Sequence, residues 1–148
     1  MKLEDLDRHL RDVLRIDEFA NLDASWNGVQ IQCSGKEIRK VAVAVDAALE
    51  TVERAARWGA DVLFVHHGLF WGSAQRITGI HYERVRAFLG ADMALYGVHL
   101  PLDAHGELGN NVQMARTLEL REVEPFGDYK GARIGFAGTL PCEMTSEE

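Results

Sequence analysis

The sequence contains few cysteines, no long hydrophobic run and an excess of acidic over basic residues. Cys33 and Cys142 are its two cysteines, and their spacing matches neither a Cys-x-x-Cys motif nor a zinc ribbon, so neither a disulfide framework nor a cysteine metal site is expected. No apolar run is long enough to span a bilayer, and the charged N-terminus from Met1 to Leu6 lacks the apolar segment of a signal peptide. These absences predict a soluble, cytoplasmic protein with no membrane partner.

The formal net charge of −7 argues against broad binding to nucleic acids or anionic membranes through surface charge. A phosphorylated small molecule stays compatible with this charge, because bound divalent ions would attract an anion against the overall field. With 148 residues, of which 47% are hydrophobic, the chain is long enough to bury one core without disulfides.

The common nucleotide and hydrolase fingerprints are also missing. Gly68 and Gly72 follow a predicted strand, but their spacing fits neither a Gly-x-Gly-x-x-Gly motif nor a P-loop. The sequence has no Gly-x-Ser-x-Gly elbow for a serine nucleophile. Metal chemistry is therefore the remaining route to catalysis.

Apolar residues recur at helical spacing and in short runs that are typical of buried strands. The start of the chain predicts an amphipathic helix with an apolar stripe made of Leu3, Leu6, Leu10, Val13 and Leu14. A loop is expected over residues 21–35. Residues 41–45 and 62–65 predict two strands joined by a helix that Asp46 would cap and Gly59 would end. This is a βαβ unit, for which a right-handed crossover is expected.

The same pattern then repeats. A second helix ends at Gly90 and is predicted to turn four side chains inward, namely Tyr82, Val85, Phe88 and Leu89. It leads into a strand at residues 93–96. A third helix is expected to be capped by Asn110 or Asn111 and to bury Val112, Ala115 and Leu118. The predicted fold class is α/β, with a mainly parallel sheet flanked by helices.

The C-terminal region contains the predicted domain boundary. Residues 125–130 are predicted to be turn-like, so residues 1–124 are expected to form the α/β lobe and residues 125–148 the start of a second lobe or a linker. Residues 132–140 predict a strand, and residues 145–148 match the capping box of a helix whose body is absent. The chain is therefore predicted to be the N-terminal part of a longer protein. The alternative is a naturally short protein with a frayed tail.

Polar clusters follow two of the predicted strands. His66 and His67 stand where the run at residues 62–65 ends, and His99, Asp103 and His105 follow the next strand. Ligands bind beyond the carboxyl ends of parallel strands. Imidazole together with carboxylate favours divalent metal ions of the group Zn, Fe, Mn, Co or Ni over Ca. Because neighbours in an extended chain point to opposite faces, His66 and His67 are expected to serve two ions, with Asp103 as a candidate bridge.

These residues also have structural explanations. The histidines could be partly buried groups hydrogen-bonded to the backbone, and Asp103 a turn residue. For Asp46, a capping role is favoured over a place in the site. Phe70 and Trp71 are expected to pack at a subunit contact, with stacking on a planar base as the alternative. His81 is expected at the surface.

Four ordered segments resemble the NIF-three-like family, and they run from the first helix to about Leu120. The segments are Trp26-Asn27-Gly28-Val29-Gln30, Val65-His66-His67-Gly68-Leu69-Phe70-Trp71, residues 95–105 and Leu108-Gly109-Asn110-Asn111. The resemblance implies a dinuclear-metal α/β protein that assembles as a hexameric toroid, and some members are catalogued as GTP cyclohydrolase I type 2 homologues. It also implies metal-ligand roles for His66, His67 and Asp103, and places His99 close to the site.

One departure from the family concerns the remaining ligands. The resemblance implies a His and a Glu, four residues apart, in the C-terminal part of a longer chain, and nothing after Asp103 supplies that spacing. His105 is the last histidine of the sequence. Three protein ligands are too few for two ions, since a single catalytic zinc usually has three of its own.

Three functions follow from this reading. The first is a metal-dependent hydrolase in which ions on His66, His67 and Asp103 activate water, with His99 as a catalytic proton carrier and, by resemblance, a purine nucleotide as the substrate. The alternative is a non-enzymatic, metal-stabilised toroidal scaffold that binds a protein or nucleic-acid partner. A plain α/β domain with hydrogen-bonded histidines is the third. The first two imply a homo-oligomer, a hexameric ring by resemblance.

Overall fold

The computed structural model describes residues 1–143, so the capping box predicted at residues 145–148 lies outside the described residues. The chain forms two compact units, one from Met1 to His99 and one from Leu100 onward. The lobe boundary predicted at residue 124 stays a prediction. None of the helices in the described part of the chain is long and apolar enough to cross a membrane.

The first unit contains the predicted α/β sheet. Its strands are β1 (Gly28–Ile31), β2 (Val41–Asp46), β3 (Val62–His67) and β4 (Ala94–Gly97). They form one sheet in the order β1-β4-β3-β2, in which β2, β3 and β4 are parallel and β1 runs antiparallel to β4. The mainly parallel α/β class is thus confirmed. The loop expected over residues 21–35 is wrong where β1 pairs with β4, because this edge strand is too short to show a clear pattern in the sequence.

Three helices were predicted in the first unit, and all three are present together with a short 3-10 helix. They are α1 (Leu3–Leu14), a 3-10 helix (Ile16–Phe19), α2 (Leu49–Trp58) and α3 (Gly79–Gly90). Leu3 and Leu14 are buried at the two ends of α1. Gly59 caps the C-terminus of α2 in the left-handed conformation, with φ 76°, which glycine adopts without a steric penalty.

The core lies around the two inner strands. Val62 and Val65 of β3 and Leu95 of β4 are 0% exposed, and α2 and α3 add Val52 and Phe88, which are also 0% exposed. Burial on both faces explains why these strands appear in the sequence as unbroken apolar runs. The pairing of Asp46 with His67, and of Val65 with Gly97, places the carboxyl ends of the three parallel strands at one edge.

Two details of the helices correct the predictions. Ala48, not Asp46, is the N-cap of α2, because Asp46 belongs to β2 and its carboxylate is hydrogen-bonded to His67. On α3, Leu89 is 63% exposed and Tyr82 49% exposed, whereas Phe88 is buried. A helix buries one stripe, and the stripe of α3 passes through Phe88 rather than through all four predicted positions.

The second unit contains α4 (Leu100–Ala104), α5 (Asn110–Thr117) and a hairpin of β5 (Arg121–Tyr129) and β6 (Ala132–Thr139). The strand predicted at residues 132–140 is confirmed. The turn predicted at residues 125–130 is wrong for most of its length, because pairing with β6 keeps Pro125 and Gly127 in a strand and the turn lies at Lys130 and Gly131. Gly109 rather than either asparagine is the N-cap of α5, and Leu118 is 52% exposed, not buried.

Candidate metal centre

Three histidines meet at the carboxyl edge of the first unit's sheet. His66 and His67 are the last two residues of β3, and His99 follows the end of the neighbouring β4. The ring centroid of His66 lies 4.5 Å from that of His67 and 5.0 Å from that of His99, and the His67 and His99 centroids are 5.7 Å apart. Each ring offers one ligand nitrogen, and these three nitrogens lie within 4.8 Å of one another. The cluster has the residue types and the proximity that a metal ion requires.

The closeness of His66 and His67 corrects the expectation that strand alternation would separate them. Hydrogen bonds to the strands on either side explain the difference. The His67 ring is held by Asp46 at the end of β2, and the His66 ring is held by the backbone oxygen of Val98, just beyond β4. The two side chains therefore leave the strand end with their rings beside each other.

All three imidazoles use Nδ1 for a hydrogen bond to an oxygen. His67 Nδ1 lies 2.7 Å from Asp46 Oδ1, His66 Nδ1 lies 3.0 Å from the oxygen of Val98, and His99 Nδ1 lies 3.0 Å from Asp23 Oδ1. Carbonyl and carboxylate oxygens only accept, so we assign the proton of each neutral ring to Nδ1. Nε2 then carries the lone pair that a metal ligand needs. Such partners on the second nitrogen are typical of metal-binding histidines, so the residues fit a divalent ion.

Asp23 is a functional candidate that the sequence did not identify, and Asp46 is one for which the sequence favoured a capping role. The side chain of Asp23 is 2% exposed, and its carboxylate also accepts hydrogen bonds from the backbone N–H of Ser25 at 2.9 Å and from Asn27 Nδ2 at 2.8 Å. Asn27 Oδ1 in turn accepts a hydrogen bond from the backbone N–H of His99 at 2.8 Å. No local pattern in the sequence reveals these contacts, because Asp23 and His99 are 76 residues apart.

Gln30 fixes the loop that follows the two histidines. Its Oε1 accepts hydrogen bonds from the N–H groups of Leu69 at 2.7 Å and Phe70 at 3.2 Å, and its Nε2 donates to the oxygen of Trp26 at 2.8 Å. A Cβ added at Gly68 would lie 2.6 Å from Gln30 Cδ, so the Gln30 side chain fits only because residue 68 has none. The segment from Trp26 to Gln30 thus supports the site without itself containing a histidine.

Aromatic side chains border the cluster. The Trp71 ring meets that of His99 edge-on, with centroids 4.8 Å apart, and its Nε1 donates to the oxygen of Gly68 at 3.0 Å. Phe70 stacks on Trp26 with centroids 5.8 Å apart. His81, expected at the surface, is half-buried and packs edge-on against Phe70, with centroids 5.3 Å apart. Trp71 therefore restricts the position of the His99 ring.

Asp103 and His105 lie in the second unit. Asp103 is on α4 and accepts a hydrogen bond from Asn110 Nδ2 at 3.1 Å. His105 Nδ1 accepts hydrogen bonds from the backbone N–H groups of Glu107 at 3.1 Å and Leu108 at 3.0 Å. This nitrogen of His105 is therefore occupied by its own loop.

A mainly parallel α/β sheet with three histidines at its carboxyl edge defines the class of the protein, an α/β protein with a candidate metal centre. The chain belongs to the Duf34/NIF3 (NGG1p interacting factor 3) family, whose family model matches residues 1–148. The predicted resemblance is confirmed, and the match continues beyond Leu120, where it was expected to weaken.

Relatives and solved structures agree with this assignment. The chain is 53% identical to the GTP cyclohydrolase 1 type 2 homolog of Deinococcus radiodurans, covering 95% of this chain and 52% of the relative. It is 47% identical to the protein of the same name from Treponema pallidum, covering 100% of this chain and 52% of the relative. The crystal structure of TTHA1606 from Thermus thermophilus matches with a TM-score of 0.81 at 41% identity, over 90% of this chain and 53% of that one. The chain thus spans about half the length of these relatives.

Proposed function

We propose that His66, His67 and His99 hold a divalent metal ion, and that the protein is a metal-dependent hydrolase acting on a purine nucleotide. The observation that carries the metal site is the arrangement of the three imidazoles, each hydrogen-bonded at Nδ1 and gathered within reach of one ion. Among the expected metals, Zn, Fe and Ni suit imidazole ligands. When bound, such an ion lowers the pKa of a water and supplies positive charge next to the substrate.

We propose Asp103 as a fourth ligand from its place in the family pattern. With the three histidines it brings the proposed set to four side chains, still too few for the two ions that the resemblance implies. The resemblance also implies the source of the remainder, a His and a Glu from the part of the relatives that this chain does not span. His99 is proposed first as a ligand, and its role as a proton carrier stays a prediction.

The nucleotide substrate is supported by the name of the relatives, GTP cyclohydrolase 1 type 2 homolog. Trp71 is the feature of this chain that agrees with it, since an indole beside the histidines offers a planar surface to a base. The histidines would orient the ion, and Trp71 would limit the space above His99. The hexameric ring is proposed by resemblance alone.

A second candidate is the metal-stabilised scaffold. The apolar side chains of Val43 and Val45 on β2 are 76% and 62% exposed, which is typical of a strand that another surface covers. A scaffold would bind metal without turning over any nucleotide, and its assembly would fall apart when a chelator removes the metal. The hydrolase requires turnover.

The first test is elemental analysis of the purified chain beside the His67→Ala and His9→Ala variants. His9 is exposed on α1 and is not one of the clustered histidines, so it serves as the matched control. We expect bound metal in the wild type, up to about two ions per chain, with a clear loss in His67→Ala and none in His9→Ala. Absence of metal from the wild type would overturn the proposed site.

The second test is turnover of a panel of purine nucleotides by the metal-loaded protein. We expect Asp103→Ala to abolish turnover while the fold, monitored by circular dichroism, stays intact. Asp5→Ala, a substitution on the surface of α1, is the control. Metal-loaded protein without turnover of any nucleotide would favour the scaffold.

A further inference from the structure

We propose that Asp23 is a positioning residue of the metal centre, which acts through His99 by holding its imidazole with Nε2 directed to the site. The inference rests on the proposed metal site and deepens it. It assigns a role to a residue that lies outside the histidine cluster and contributes no ligand atom of its own.

The burial of Asp23 is the first argument. Its side chain is 2% exposed, although an isolated carboxylate is costly to remove from water. Asp23 Oδ1 accepts hydrogen bonds from the Ser25 N–H and from His99 Nδ1, and Oδ2 accepts one from Asn27 Nδ2. These bonds offset the cost of burial, and one of them ends on a histidine of the cluster.

Asn27 holds the other end of the same histidine. Its Oδ1 accepts a hydrogen bond from the backbone N–H of His99 at 2.8 Å, while its Nδ2 donates to Asp23. The backbone and the ring of His99 are therefore both hydrogen-bonded to the same pair of side chains, Asn27 and Asp23.

The Asn27 contacts also explain why an isosteric change at Asp23 is not neutral. An amide NH₂ at residue 23 would face the NH₂ of Asn27, and rotating Asn27 to avoid this would break its bond to His99.

Asp46 provides a contrast within the same site. Its carboxylate makes the equivalent contact to His67 Nδ1, but it is 63% exposed. Water can replace an exposed carboxylate as the partner of Nδ1, whereas it has little access to the buried position of Asp23. We therefore expect the substitution at Asp23 to weaken metal binding more than the matched one at Asp46.

The test is a double-mutant cycle on zinc affinity, using wild type, Asp23→Asn, His99→Ala and the double variant, with Asp46→Asn as the matched control. Loss of such an outer partner lowers metal affinity roughly 10- to 100-fold. We expect that loss for Asp23→Asn in the wild-type background, a smaller one for Asp46→Asn, and no added loss when His99 is already alanine. An equal loss in both backgrounds would show a general structural effect and overturn the inference, as would unchanged affinity.

A second readout does not require metal. The ¹⁵N chemical shifts of the His99 imidazole in the metal-free protein report which nitrogen carries the proton. We expect the Nδ1–H form in the wild type and a mixture of tautomers in Asp23→Asn, with His67 unchanged. The same His99 tautomer in both proteins would overturn the inference. Wild-type protein that binds no zinc but shows these shifts would overturn the proposed metal site and leave the positioning role of Asp23 supported.

Discussion

Single residues at the carboxyl edge are fixed by close contacts to residues far away in the chain. The side-chain amide of Gln30 makes three hydrogen bonds to the backbone and occupies the space beside Gly68 and Gly97. A Cβ at Gly97 would lie 2.8 Å from Gln30 Nε2. Both glycines are therefore required for the approach of a neighbouring side chain, rather than for an unusual backbone angle.

Gly68→Ala is expected to destabilise the protein and to weaken metal binding. The added methyl group must displace Gln30, and the partly buried N–H groups of Leu69 and Phe70 then lose their hydrogen-bond partner, at a cost of about 1–3 kcal/mol. Gly90→Ala is the control, because its added Cβ would have no neighbour within 4 Å. Denaturant unfolding measures the difference. Equal stability of the two variants would show that Gln30 relaxes without loss.

Asp61 is expected to make stability depend on acid pH. The Lys36 ammonium, together with the backbone N–H groups of Arg39 and Lys40, lowers the pKa of Asp61 from 3.8 to about 2. A carboxyl group whose pKa is lower in the folded state than in the unfolded state stabilises the protein at pH values above its unfolded pKa. The contribution, about 2 kcal/mol, is fully present above about pH 5 and is lost progressively as the pH falls towards 2.

The test for Asp61 is the free energy of unfolding measured from pH 5 to pH 2 for wild type, Asp61→Asn and Lys36→Met. Asp61→Asn should remove this part of the pH dependence. Lys36→Met should reduce it, because Lys36 is the largest cause of the lowered pKa. An unchanged slope in both variants would contradict the assignment.

Some residues of the site could be identified from the sequence and others could not, for physical reasons. His66 and His67 were identifiable because they directly follow an apolar run and because a second polar cluster, with His99 and Asp103, follows the next strand. Asp23 was not identified and Asp46 was favoured only as a cap, since their contacts are to partners 76 and 21 residues away. A carboxylate before a helix suggested a cap at Asp46, and only the pairing of β2 with β3 shows that it faces His67.

At the scale of elements, predictability followed the presence of a local apolar pattern in the sequence. The parallel strands β2 and β3 and the helix between them were predicted because apolar runs and Gly59 mark their limits. β1 and β5 were missed, since β1 is a four-residue edge strand and β5 contains proline and glycine within its pairing. Both depend on a partner strand for their structure, and a local pattern does not show the partner.

Substitutions at two adjacent residues can test which face of α3 is buried. Phe88 is 0% exposed in the core, whereas Leu89 is 63% exposed. Phe88→Ala is expected to lower the free energy of unfolding by about 3–5 kcal/mol, because it removes a buried ring and leaves a cavity. Leu89→Ala should change it by less than about 0.5 kcal/mol. Chemical denaturation of both variants checks this contrast, and comparable losses would place both residues in the core.

At the scale of the whole molecule, the candidate metal centre connects elements that are distant in sequence. The loop before β1, the end of β2, the end of β3 and the residues after β4 all contribute a side chain or a backbone oxygen to the three histidines. A bound ion would therefore join four segments of the first unit. Because the unfolded chain does not hold these segments together, metal binding and folding of this unit are expected to be linked.

This linkage predicts that zinc raises the thermal stability of the protein and that a chelator reverses the effect. A ligand that binds only the folded state stabilises it by about 2.7 kcal/mol when its concentration is 100 times its Kd. The shift should disappear in His67→Ala, which lacks one of the three ligands, and persist in His81→Ala, whose ring packs on Phe70 outside the cluster. Differential scanning calorimetry with zinc and with chelator measures both. An equal shift in both variants would show that zinc binds the folded protein outside the histidine cluster, and no shift in the wild type would contradict a metal site in the first unit.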